Sequence, residues 1–128
     1  MIAARFLPPL PLFVLLAGVA CDAGGDAPPP VTAATPAEHE AGETLFETHC
    51  ASCHGERAAG TDQGPPLVHR IYEPSHHGDA AFQLAVARGV AAHHWRFGDM
   101  AAVPGVTVAE VEQIVGYVRW LQREAGIE

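Results

Sequence analysis

Cys50-Ala51-Ser52-Cys53-His54 is the stretch of this 128-residue chain with the most chemical meaning. Two thiols separated by two residues, followed at once by an imidazole, is the spacing that attaches a c-type haem. The reason is geometric. The two thiols meet the two vinyl groups along one porphyrin edge, and the next residue projects its ring up to the iron. A structural zinc ion would need two more ligands at comparable spacing, and no second Cys pair exists. A thioredoxin-like dithiol would need a strand–helix context, which the flanking sequence does not offer. Cys50 and Cys53 are therefore expected to carry the thioether bonds, and His54 to ligate the iron.

Haem attachment takes place outside the cytoplasm, so the chain should carry an export signal. Its opening, MIAARFLPPLPLFVLLAGVAC, has one Arg and then an apolar run from Leu10 to Ala20. That run is shorter than the ~20 residues a bilayer span needs, and Pro8, Pro9 and Pro11 oppose a helix. Residues 1–20 read as a signal peptide and are set aside from the fold. Gly18, Val19 and Ala20 before Cys21 resemble the lipobox of bacterial lipoproteins, departing from it at the small Gly18. That resemblance implies that Cys21 is diacylated and becomes the first residue, with the protein on the periplasmic side of a bacterial membrane. The alternative is an ordinary signal peptide cut near Ala20, with Cys21 incidental. With Cys21 lipidated, all three Cys are accounted for and none is left for a disulfide. Residues 21–35, rich in Gly, Pro and Ala, read as a tether whose reach as a coil is roughly 20 Å.

The elements that must position the site lie in residues 36–128. Thr35-Pro36-Ala37-Glu38 has the form of a capping box with Pro at the first helical position, which predicts a helix from Pro36 to about Cys50 with Leu45 and Phe46 buried. A second helix is expected after Asp79 as N-cap, running through AAFQLAVAR to Gly89. A third starts at the Thr107–Glu110 capping box. Val108, Val111, Ile114, Val115, Val118 and Leu121 form its buried stripe, which ends before Gly126. No strand is evident. The stretches near 55–78 and 90–106 are long for structureless loops. They make sense if a bound macrocycle supplies apolar surface that three short helices lack.

On these residues the chain resembles the small single-haem class I cytochromes c, across essentially all of 36–128. Gly42 and Phe46 precede the attachment motif at the family's spacing, and Ile114 and Tyr117 fall where the family's last helix crosses its first. Cytochromes c′ carry the motif near the C-terminus, whereas here it lies in the first half. The resemblance implies an all-α cytochrome c fold, with three to four short helices and long loops wrapped around one covalent haem. Gly64-Pro65-Pro66-Leu67 looks like the family's GPxL segment, which implies that the Pro65 carbonyl holds the free N–H of His54 and that Leu67 touches the haem. The resemblance further implies that Met100 is the second iron ligand, Met1 being the only other Met and part of the signal. The other reading of Met100 is an ordinary core residue. Ala101 stands where the family often has Pro.

Seven His lie outside the attachment motif: His39, His49, His69, His76, His77, His93 and His94. The doublets suggest a metal site or bis-His ligation; the plainer reading is solvated loop residues. Arg70, His94, Trp95 and Arg96 are candidate partners for haem propionates. The formal charge is −8, and no Lys is present, which opposes nucleic-acid binding. His/Met ligation would leave no open coordination position. The expectation is thus an electron carrier between redox-protein partners, tied to a membrane by its lipid, with no small-molecule substrate. The alternatives are a haem enzyme or gas sensor with an open sixth site, or a structural role in a larger complex.

Overall fold

The last helix organises the molecule, and its start is written in its first residues. In the computed structural model, which describes residues 30–128, the chain forms α1 (Glu40–His49), α2 (Ala51–His54), α3 (Asp79–Arg88) and α4 (Val108–Glu124). The signal segment, Cys21 and most of the tether lie outside the described residues. Thr107 caps α4 as expected: its Oγ1 accepts from the Glu110 N–H, while the Glu110 carboxylate accepts from the Thr107 N–H at 2.7 Å. Val111, Ile114, Val115, Val118 and Leu121 are buried along one face. Val108, expected in that stripe, is 67% exposed; it is the first residue of the helix, and its carbonyl accepts from Gln83 Nε2 of α3 at 3.0 Å.

α1 crosses α4 where Gly42 meets it. A Cβ at Gly42 would run into the Gln113 carbonyl oxygen and come within 3.0 Å of the Tyr117 Cβ, so the two backbones touch. Phe46 and Tyr117 flank the crossing, fully buried, with ring centroids 5.8 Å apart in a tilted pair. The Tyr117 hydroxyl donates to Glu43 at 3.1 Å. Burial, and then the Glu43 charge, push that phenol well above its ordinary pKa.

Two caps differ from the sequence expectation. Ala37–His39 forms a 3-10 turn ahead of α1, and the Thr35 hydroxyl donates to Glu43 at 2.7 Å instead of capping. Gly78, not Asp79, is the N-cap of α3; the Asp79 carboxylate accepts from Arg119 Nε at 2.9 Å. In both places a tertiary partner outcompetes the local backbone N–H. The end of the first helix falls where it was expected, at Cys50 (φ −123°), which turns the chain from α1 into α2.

The all-helical expectation holds, with one isolated antiparallel bridge, Val90 to Met100, and no strand among the described residues. The long loops are tied down by buried polar side chains of α4. Gln122 Nε2 donates to the Leu67 and Tyr72 carbonyls at 2.8 and 2.9 Å. Arg119 donates to the Tyr72 carbonyl at 2.6 Å, to Gln122 Oε1 at 2.7 Å and to the His77 carbonyl. Arg57 does the same for the chain before α1, donating to the Val31 and Ala33 carbonyls at 2.9 and 2.7 Å. Val31 packs on the core, so the packed body extends back ahead of the expected Pro36 boundary. No helix of the described residues is long and apolar enough to cross a membrane.

Candidate functional site

α2 is a single turn; of the residues expected to attach a haem, Cys50 is its N-cap, and Cys53 and His54 lie within it. The Cys50 thiol is half-buried and the Cys53 thiol exposed, both free. Burial, and then the neighbouring Cys53, push the Cys50 pKa up to about 11, so its neutral thiol form prevails at physiological pH.

His54 ends that turn, and the loop after it fixes its ring. Its Nδ1 lies 2.9 Å from the Pro65 carbonyl oxygen. A carbonyl only accepts, so Nδ1 carries the proton and Nε2 keeps its lone pair free. Burial lowers the His54 pKa, and the Pro65 bond opposes that shift. The neutral ring is the form a metal ligand must have. The loop is laced back onto α2: the Gly60 N–H donates to the His54 carbonyl and the Thr61 hydroxyl to the Cys53 carbonyl, both at 2.6 Å. Gly64 passes so close to α2 that a Cβ there would lie 2.8 Å from the Cys53 carbonyl oxygen.

Beyond this loop, the chain encloses a cleft of about 460 Å³, lined among others by His54, Pro65, Leu67, Phe82, Trp95 and Met100. Its walls are mostly apolar and its volume falls in the range of cofactor pockets. Leu67 is buried, its N–H donating to the Ala58 carbonyl at 2.9 Å and its carbonyl held by Gln122. Met100 is positioned by the paired 2.9 Å bonds it exchanges with Val90. Gly89 (φ +74°) makes that pairing feasible, because a side chain there would strike the Met100 carbonyl. Asp99 Oδ1 accepts from the Ala92 N–H at 2.8 Å and closes the loop ahead of Met100. The structure thus brings His54, Pro65, Leu67 and Met100 to one cleft.

Whether a haem fits these residues is tested by an orphaned polar atom. Trp95 Nε1 is buried and has no hydrogen-bond partner. Tyr72 lines the same cleft; burial raises its pKa and the neighbouring Trp95 indole acts the other way, although the two groups do not reach hydrogen-bond geometry. A buried donor without an acceptor costs about 1–3 kcal/mol. A carboxylate on a ligand filling the cleft would remove that cost, and a haem brings two. Of the other propionate candidates, Arg70 and Arg96 are exposed, and His94 stands in a cluster of imidazoles.

Two features escaped the sequence reading. One is the Arg119–Gln122 pair, whose signal was a pair of polar residues set among the buried positions of α4. The other is that the doublets His76-His77 and His93-His94, each visible in the sequence, come together in one cluster. Desolvation, then repulsion from the adjacent imidazoles of His93, His77 and His76, lower the His94 pKa.

A family model described as Cytochrome c matches residues 39–122 of the chain. No curated protein and no solved structure matches it.

Proposed function

The chain belongs to the cytochrome c family, and on that premise we propose that it is a single-haem electron carrier whose iron is held by His54 and Met100. The family binds covalent haem c, and its chemistry is haem-based electron transfer. When bound, the haem supplies an iron that cycles between Fe(II) and Fe(III). The chain's own residues do the rest. Cys50 and Cys53 bind the macrocycle edge, and His54 offers Nε2 because the Pro65 carbonyl holds its other nitrogen. Leu67 and the apolar cleft walls exclude water. The Trp95 N–H gives a carboxylate a buried donor.

The observation that carries this reading is that a neutral, oriented His54 and the one Met beyond the signal segment line the same apolar cleft. Two protein ligands leave no open position for a substrate. In the oxidised protein we expect the weak near-infrared charge-transfer band of a Met sulfur on iron, and in the reduced protein slow carbon monoxide binding. A high-spin five-coordinate spectrum would transfer the reading to a haem enzyme or gas sensor.

The donor and acceptor are redox proteins in this reading, met at a membrane. Support for the membrane site is the lipobox-like stretch before Cys21, which would make Cys21 a lipid anchor on the periplasmic side. Wild-type protein should enter the detergent phase and Cys21→Ser should be soluble. An unmodified Cys21 in the mass spectrum of the mature protein would reject the anchor and leave the haem reading untouched.

A further inference from the structure

We propose that His76, His77 and His94 form a zinc(II) site that clasps together the two loops at the rim of the cleft. None of the three is an iron ligand in the reading above. His76 and His77 follow the 3-10 turn Arg70–Tyr72, whereas His94 lies in the loop between α3 and Met100. The fold brings one ring nitrogen from each within 4.8 Å of the others.

The closest pair is spaced as zinc(II) would need it. His76 Nε2 and His94 Nε2 are 3.3 Å apart. Two imidazole nitrogens bound at about 2.0–2.1 Å around a tetrahedral ion lie about 3.3–3.4 Å from one another. Adjacent corners of a square-planar site would bring them to about 2.9 Å, which is the copper(II) preference. In this structure the two nitrogens share a proton as a hydrogen bond; their separation also suits a tetrahedral ion, so zinc(II), which imidazoles bind in that geometry, would replace the shared proton with little movement of either ring.

The third ring is prepared in a manner common to metal-binding His. His77 Nδ1 donates to the Ile71 carbonyl at 2.6 Å, which fixes the tautomer and leaves Nε2 for the ion. The backbone that carries it is anchored from beneath by Arg119, which donates to the His77 and Tyr72 carbonyls. His76 and His94 are exposed and His77 is half-buried, so the two exposed rings are the ones free to turn toward His77. The fourth position faces water or His93, whose ring lies 4.3 Å from that of His94 and whose Nδ1 donates to the Ala91 carbonyl at 2.8 Å.

An ion here would link residues 73–78 to the loop that ends at Met100, and so stabilise the wall of the cleft by mass action. The test uses the haem-loaded protein without a His tag, stripped with chelator and titrated with Zn²⁺ by calorimetry. Wild type and His49→Ala, a His outside the cluster, should each take up one Zn²⁺ per chain and melt at a higher temperature with zinc present. His76→Ala and His94→Ala alter exposed side chains, so the fold should survive, and each should weaken binding at least about tenfold. The haem spectrum should not change, which separates this site from the iron. Absence of uptake, or affinities in His76→Ala and His94→Ala equal to wild type, would overturn the proposal.

Discussion

At the scale of single residues, the proposed ligation by His54 and Met100 depends on placing two different ligand atoms without letting either move. His54 is held by one hydrogen bond to a carbonyl that a tightly packed loop presents. Met100 is held through its backbone, by the exchange with Val90, so its side chain needs no polar partner. A thioether is soft and neutral and favours Fe(II), so its loss should lower the haem potential. Met100→Ala should do so, and should either admit added ligands or recruit a nearby imidazole, with His93 and His94 close in the chain. Potentiometry and loss of the sulfur charge-transfer band check this. A potential equal to that of wild type would mean that Met100 is not on the iron. Cys50, Cys53 and His54 could be proposed for haem attachment from the sequence because covalent geometry fixes the spacing of such a motif. The Trp95 N–H was legible only as a name among candidates, since an orphaned donor appears once its surroundings are packed.

At the scale of elements, what could be read was what local chemistry decides. The Thr107 box was readable because its two partners lie three residues apart and nothing tertiary competes for them. Thr107→Ala should cost about 1 kcal/mol of stability in denaturant unfolding. The Thr107 N–H, and then its hydroxyl, hold the Glu110 pKa below its ordinary 4.5. A carboxylate depressed in the folded state stabilises the fold above its unfolded pKa. That contribution fades as pH falls below 4.5 and is gone below the folded value. The stability gap between wild type and Glu110→Gln should therefore close on acidification, and a gap that widens would contradict the linkage. Thr35 and Asp79 offered equally good local caps and were misread, because Glu43 lies beyond the capping positions of Thr35 and Arg119 lies 40 residues from Asp79. Helix crossings make a sharper contrast. Gly42→Ala would drive a Cβ into the Gln113 carbonyl and should destabilise by about 1–3 kcal/mol. Gly116 lies in the same crossing helix, but a Cβ there finds nothing nearer than 3.8 Å. Gly116→Ala should instead stabilise by roughly 0.5–1 kcal/mol. Equal effects at the two positions would refute the close approach of α1 and α4.

At the scale of the whole molecule, the fold is a short helical framework with polar side chains reaching out from it to hold long loops. Arg57 holds the chain before α1, while Arg119 and Gln122 hold the stretch that carries Leu67, Tyr72 and His77. Such ties cross from one segment to a distant one, and no periodicity announces them, which is why the sequence shows the loops but not their fastenings. The surface that results is acidic and without Lys, at a formal charge of −8. Leu84 and Phe97 line the cleft and are exposed, by 51% and 38%. A partner approaching the cleft therefore meets an apolar rim on a chain of net negative charge, to which bound propionates would add. The partner expected for such a rim carries a basic or mainly apolar contact patch. Electrostatic attraction between exposed charges is screened over ~10 Å at 0.1 M salt. If opposite charge steers the encounter, the bimolecular electron-transfer rate should fall as ionic strength rises, while the rate within the bound pair stays constant. Stopped-flow measurements over a salt series separate the two. A rate that climbs steeply with salt would reveal like-charged partners and defeat steering. A rate indifferent to salt, yet lowered by Phe97→Ser, would assign the encounter to the apolar rim alone.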